Sequence, residues 1–498
     1  MIQLIFRSIQ IIRFFLLSLV LSATPVLSEG CKNAYDLILQ LRFKEAQAIL
    51  RQEKVNAPEN IFPYYLENYK DFLELIITED LSSYHRFNRE FDQRIEFLKG
   101  SDRNSPYYLF LLAEMHLQSS MLNVKFNDSW KALFHFYTSY KYTHKNKDLF
   151  PEFAPNNKLS GVLNVILGMA PPNYGWVMKI AGMTGDVELG IRQLEMYYTF
   201  TRQSEFPEIE AAIILAHIYI QGNPGETSAL DFLQSISPLP LENCLFRFTY
   251  VLSLNKAGQN HRVIPVLEKY TQPENEIPFL FLDFLLGEAK LNRMDDNAYI
   301  RLEKFIAEFK GMHYVKACWH KLGWYHLING EEEQYRQCLH MVKTSGSMLL
   351  DADKQAFYEA SSGRIPNMVL LKARLLFDGG YFVEAKELML ENHDPALFET
   401  GLDKLEYFYR MARIYHMLGE EQKAEKYYHV VLDNGRELPG YFASNSALHL
   451  GRLNEENAKP DEAVGYYKSA LQLSRGPYRN SIGLKARAGL SRLDVYVN

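Results

Sequence analysis

Small residues return along the last third of this chain at one fixed interval. Ala373, Ala412 and Gly451 stand 39 residues apart, and Ala385, Ala424 and Ala463 keep the same spacing. Turn and aromatic positions follow in register: Gly380 and Gly419 mark turns, and Tyr415, Tyr428 and Tyr467 are followed by the small Ala470. Two helices approach within about 8–10 Å only where the side chains between them are small, so each unit reads as a pair of helices crossing at those residues. A large residue at a crossing would separate the pair. No segment shows sustained two-residue alternation, so a sheet is not expected.

One repeat earlier, Trp319, Leu322 and Gly323 match the W-x-x-L-G opening of the tetratricopeptide consensus, with Gly330 at the following turn. The later units carry the small, aromatic and turn positions of the same consensus in order. That repeat is about 34 residues long, so about five extra residues are expected in each connection, around residues 392–395 and 438–441. The fold class expected is all-α: a tetratricopeptide-like superhelix, or α-solenoid, with a buried apolar helical hairpin in its N-terminal half.

The hairpin is read from residues 159–194, which differ from everything around them. Residues 159–169 are almost wholly apolar, and Pro171-Pro172 stops a helix there. Trp176, Val177, Ile180 and Met183 then recur at helical spacing. A turn over residues 182–186 opens an amphipathic helix with Asp186 and Glu188 in its first turn, where carboxylates suit the helix dipole. Elsewhere upstream, helical pairs run from Cys31 onward. Trp130, Leu133, Phe134, Phe136, Tyr137 and Tyr140 form an aromatic stripe capped by Asp128, expected to be core. Residues 141–157 read as a polar, proline-marked connection.

The central segment and the repeats together resemble the inclusion-body-clearance family, also called tetratricopeptide repeat protein thirty-nine. The likeness lies in Gly161, Asn164, Pro171, Pro172, Gly182, Gly185, Asp186, Glu188 and Gly190, and extends less sharply to residues 319–325 and 478–493. It implies a helical-repeat protein without catalytic residues, linked to aggregate clearance and to lipid metabolism.

Composition bounds the rest. With 498 residues, 47% hydrophobic and a net charge of −6, the chain has enough apolar material for a large core and lacks the basic footprint of a nucleic-acid binder. Arg7, Arg13, an apolar stretch over residues 14–21 and small residues up to Ser28 read as a secretory signal, cleaved after Ser28 or, second, after Ala23. An uncleaved membrane anchor and a lipid-modified Cys31 are the alternatives. Four scattered cysteines exclude a disulfide framework; a bridge between Cys318 and Cys338 is conceivable in an oxidising compartment.

No catalytic or nucleotide-binding signature occurs, so no enzyme and no cofactor are expected. His313, His320 and His326 are not spaced as metal ligands and read as solvated or hydrogen-bonded, and Glu331-Glu332-Glu333 reads as capping a helix start. The domain order expected is a signal over residues 1–28, an N-terminal helical domain over 31–240, helical repeats over 241–345 and tetratricopeptide repeats over 346–498. The function expected is an exported repeat scaffold, periplasmic or at the cell surface, whose concave groove takes a protein or peptide. A lipid ligand and a glycan are the alternatives.

Overall fold

A computed structural model describes residues 27–170, 178, 181–222, 227–475 and 478–493; the expectations for residues 1–26 and for Pro171, Pro172, Trp176, Val177 and Ile180 lie outside the described residues. All regular structure among the described residues is helical, and the chain divides into two compact units.

The first unit takes its described residues from 27–168, 181–215 and 273–277. Its helices are α1 (Glu29–Leu39), α2 (Phe43–Asn56), α3 (Phe62–Thr78), α4 (Leu81–Lys99), α5 (Pro106–Lys125), α6 (Ser129–Leu149), α7 (Asn156–Gly168), α8 (Val187–Thr201) and the beginning of α9 (Glu208–Gly222). Local chemistry sets their starts. Ser28, Asp80, Asp128 and Asp186 each accept a backbone N–H two or three residues into the following helix, the Asp186 bond to Leu189 measuring 2.8 Å.

Glycines set the crossing of α7 and α8. A Cβ on Gly161 would stand 2.9 Å from the carbonyl oxygen of Gly190, and one on Gly190 would stand 2.7 Å from that of Gly161. Gly185 is tighter still, with Leu167 Cβ at 2.3 Å from the added carbon. Asn164 Nδ2 donates to Gln193 Oε1 at 2.8 Å across the same contact, and Gly182 supplies the left-handed turn before α8. The central motif is therefore a close helix crossing, its first arm buried through Leu159, Leu163, Val165 and Leu167. Beneath it Lys158 Nζ donates to Glu114 at 3.2 Å and Glu210 at 2.9 Å, and Tyr35 and Tyr65 donate to the same two carboxylates. Burial disfavours the Lys158 ammonium, yet the two carboxylates hold its pKa above the ordinary lysine value.

Two expectations fail in this unit. Residues 141–157 are not a connection: α6 runs on to Leu149, because Thr143 and Asn146 face inward and Asn146 Nδ2 donates to Asn156 Oδ1 at 2.8 Å. The aromatic stripe is not core. Trp130, Leu133, Phe134 and Tyr137 point outward, Phe136 and Tyr140 are half-buried, and the buried side of α6 carries Ala132, Ser139, Thr143 and Asn146.

The second unit takes its described residues from 169–180, 216–272 and 278–493. After the end of α9 come α10 (Ser228–Gln234), α11 (Cys244–Lys256), α12 (Asn260–Glu268), α13 (Phe281–Asn292), α14 (Ala298–Glu308), α15 (Val315–Ile328), α16 (Glu332–Thr344) and α17 (Asp351–Ser362). The array closes with α18 (Met368–Asp378), α19 (Phe382–Glu391), α20 (Gly401–Met417), α21 (Glu421–Asn434), α22 (Phe442–Glu456), α23 (Pro460–Leu473) and α24 (Arg479–Arg492).

Here the period of 39 has a visible cause. Ala373, Ala385, Ala412, Ala424, Ala463 and Ala470 have no exposed surface, and Tyr428 and Tyr467 are buried with them. Tyr467 lies between two glycines: a Cβ on Gly451 would come within 2.7 Å of its ring, and one on Gly489 within 2.4 Å. Gly323 similarly faces Cys338 and Tyr335. Tyr415 and Leu322 are buried, whereas Trp319 is half-buried against Val342, Ala356 and Ala360. The turns of successive repeats take the left-handed conformation at Gly380, Gly419 and Ala458, with φ of 78°, 73° and 55°.

All four cysteines are buried free thiols, so Cys318 and Cys338 are not bridged; Cys318 Sγ donates to the carbonyl of Leu302 at 3.4 Å. Cys31 has no exposed surface inside α1, and burial pushes its thiol up to about 11. A lipid-modified Cys31 would have to leave that core. Glu332 and Glu333 occupy the first turn of α16 as expected, but Glu331 makes no side-chain cap; its carboxylate meets His326 Nδ1 at 2.5 Å.

Candidate functional site: an arginine-lined hollow in the second unit

The site grows out of the repeat itself. Arg374, Arg413 and Arg452 keep the 39-residue period, each one residue after the small residue at a crossing. A side chain there is carried to the same face of α18, α20 and α22 in turn. Arg374 and Arg413 meet Arg410, one turn before Arg413 on α20, around two adjoining hollows of about 190 and 240 Å³. Arg374, Arg410 and Tyr441 line both.

Carboxylates hold part of this charge. Arg374 Nη1 lies 2.9 Å from Glu359 Oε1, and Arg410 Nη2 lies 2.8 Å from Glu406 Oε1. Arg364 pairs with Asp403 at the rim. Burial alone would raise the Glu359 carboxyl, but Arg374 and His320 beside it hold it at about 2. Burial pushes His320 down to about 4, so it is neutral at pH 7, with Nε2 3.4 Å from Glu359. His320 is therefore buried rather than solvated, and it faces Glu359; among the described residues no group of three or more histidine, cysteine and carboxylate side chains is placed to hold a metal ion.

The balance is cationic. The two hollows are lined by Arg364, Arg374, Arg410, Arg413 and Lys485 against Glu359, Asp378 and Glu406, in a chain whose net charge is −6. Arg413 shows the excess most clearly. Its Nη1 reaches only the hydroxyl of Tyr409, at 3.3 Å, and its guanidinium lies 4.9 Å from the centre of the Phe377 ring. Its buried Nε has no hydrogen-bond partner, and neither does Nε1 of Trp324, over whose ring Arg374 sits at 4.6 Å. Unsatisfied buried donors cost about 1–3 kcal/mol each, and a ligand bearing acceptors would relieve them.

Of the residues singled out from sequence, the small and aromatic repeat positions build the scaffold behind this hollow, and Gly161, Asn164, Gly182, Gly185, Asp186, Glu188 and Gly190 lie in the other unit at or beside the helix crossing. Of the others, His320 lines the first hollow, and Tyr478, Ser481, Ile482 and Lys485, within the stretch 478–493, line the second. The arginines were missed although they carry the same period, because an isolated arginine on a helix reads as a solvated surface residue.

Helix pairs of fixed period, crossing at small residues and opening on a lined hollow, define a tetratricopeptide-type repeat protein. No family model matches the chain. Its curated relatives include the photosystem I assembly protein Ycf3 of Cyanophora paradoxa, 30% identical over 129 residues, which cover 24% of this chain and 72% of that protein. The same protein of Synechococcus sp. (strain CC9902) is 31% identical over 118 residues, 22% of this chain and 68% of that protein. The chain belongs to the tetratricopeptide-repeat family. A solved structure, the APC/C hetero-tetramer Cut9-Hcn1, aligns over 94% of this chain and 91% of that one at 11% identity and a TM-score of 0.31.

Proposed function

We propose that this chain is a non-enzymatic, exported scaffold that holds a protein partner by seating an extended, carboxylate-bearing segment in the arginine-lined hollow. The observation that carries this reading is the unmatched guanidinium of Arg413 within a lining of five cations and three carboxylates. Guanidinium groups suit carboxylates because their planar forks donate two parallel hydrogen bonds. The kinship with the inclusion-body-clearance family rests on the glycine crossing and is proposed with it. The excess of guanidinium groups favours a carboxylate-bearing ligand, with apolar and aromatic side chains such as Trp324, Leu370 and Phe442 walling the first hollow beside them.

Fluorescence anisotropy tests the reading, with labelled peptides rich in Asp and Glu against Asn- and Gln-substituted peptides of the same length. The acidic peptides should bind in a salt-sensitive way, and Arg413→Gln should weaken them about tenfold, the equivalent of about 1.4 kcal/mol, with an unchanged melting temperature. Equal binding of both peptide sets, or an Arg413→Gln protein that binds like the parent, sinks it. Export is proposed on the charged and apolar pattern of residues 1–28. Leu27 is buried and Ser28 caps α1, so processing after Ala23 keeps both in place. An intact mass beginning at Thr24 in the exported fraction is the expected outcome, and an unprocessed cytoplasmic Met1 the contrary one.

A further inference from the structure

Helix α6 turns its polar side inward and its aromatic side out. Trp130 is 85% exposed and Phe134 63%, with Leu133 and Tyr137 exposed beside them, while Ser139, Thr143 and Asn146 are buried. The hydroxyl of Ser120 donates to the carbonyl of Ala132 at 2.8 Å, holding the last turns of α5 beside the first turns of α6. Met121 and Val124, in those last turns of α5, are exposed as well. Exposed apolar residues scattered singly need no explanation, but this many at one end of a single helical hairpin make a patch.

The stripe continues in a different chemistry. At helical spacing Trp130, Phe134 and Tyr137 are followed by Lys141 and Lys145, all outward, with Lys141 Nζ 5.5 Å from the centre of the Tyr137 ring. Along α6 there are four lysines, Lys131, Lys141, Lys145 and Lys147, against Asp148 alone. A helix that presents Trp, Phe and Leu together with lysines, on a chain of net negative charge, has the composition of a segment lying at a bilayer interface. The rings enter the headgroup layer, and the lysine stems lie along it with their charges on lipid phosphates. The order along the stripe favours a bilayer over a protein groove: apolar side chains gather at the turn end of the hairpin, and the cations follow farther along.

We propose that the α5–α6 hairpin is a peripheral docking surface for an anionic phospholipid bilayer, entered by Trp130 and Phe134 and held electrostatically by Lys141 and Lys145. No helix among the described residues is long and apolar enough to cross a membrane, so attachment through this face is interfacial. The surface is independent of the hollow in the second unit, and a failure of either proposal leaves the other standing.

The test uses the full chain and the emission of Trp130, isolated as the difference between wild type and Trp130→Phe. In buffer this component should be red-shifted. With phosphatidylcholine vesicles containing phosphatidylglycerol it should move to the blue and be quenched by brominated acyl chains. A Lys141→Glu/Lys145→Glu protein, melting as wild type does, should need at least tenfold more lipid for the same shift. Emission that stays red with these vesicles overturns the proposal. So does an equal response to phosphatidylcholine alone, which would mean adsorption without charge recognition. A blue shift that grows with protein concentration in the absence of lipid would assign the face to a second copy of the chain instead.

Discussion

Aromatic residues recur at helical spacing both on α6 and along α20 to α23, and they end in opposite environments. Tyr428 and Tyr467 have no exposed surface, pressed onto the small residues of neighbouring helices; Trp130 and Phe134 stand in solvent. The difference lies in what each helix offers on its other side. In the array the small residues sit where a neighbouring helix brings an aromatic ring, as Gly451 and Gly489 do for Tyr467, so the ring fills the space they leave. On α6 the small and polar residues, Ala132, Ser139 and Thr143, form the side on which α5 packs closely. His116 and His135 meet across that contact, Nδ1 to Nδ1 at 2.8 Å, and the rings are left outside. Helical spacing puts residues on one face; the neighbour decides which face is inside.

The comparison breaks most readily at Tyr467. Tyr467→Ala removes a ring packed between two glycines and should destabilise the C-terminal array by about 3–5 kcal/mol in denaturant melts; a loss below 1 kcal/mol would mean the ring is not core.

Acid should weaken both regions. Burial holds His116 at about 3 and His135 at about 4 on one side of the comparison, and His416 at about 4 on the other. An unfolded histidine titrates near 6.5, so between pH 6.5 and 4 the unfolded chain binds more protons and stability falls as pH falls, by up to about 1.4 kcal/mol per unit for each such histidine. Glu359, held at about 2, keeps its contribution until the pH drops below the ordinary glutamate range. Melting temperatures that are flat or rise from pH 6.5 to 4.5 contradict this.

A smaller and opposite effect is expected at Ala458, which takes the left-handed turn position that Gly380 and Gly419 occupy in the preceding repeats. Ala458→Gly relieves the Cβ strain and should raise stability by about 0.5–1 kcal/mol, read as a shift in the denaturant midpoint. Destabilisation by the same amount would show that the turn is not strained.

The smallest effect sharpens the contrast with Tyr467. Trp130→Ala should change stability by about 0.5 kcal/mol or less, because an exposed ring leaves no cavity. A loss of several kcal/mol would put the stripe back in the core.

The regularities of this chain were open to sequence reasoning where they depend on neighbours close in sequence. The 39-residue spacing of Ala373, Ala412 and Gly451, the cap at Asp186 and the glycine turns all involve contacts within one helix or one helix pair, so residue type and spacing carry them. The extension of α6 to Leu149 was hidden because Thr143 and Asn146 are polar, and only their inward packing makes that segment regular. The hollow was hidden in another way. Arg374 and Arg413 keep the period, yet charge on a helix ordinarily means solvent, and nothing local says that α18 and α20 bring their arginines to one place.

What the sequence by itself determined, then, is a tetratricopeptide-type chain of helix pairs: where they start, where they turn and at which small residues they cross, since those are short-range matters of sterics and backbone hydrogen bonding. The tertiary structure alone decided that the rings of α6 face outward and that Arg374, Arg410 and Arg413 converge on one hollow. Both depend on which side of a helix its packed neighbour covers. That choice is settled by close approach between surfaces far apart in sequence, and no local period records it.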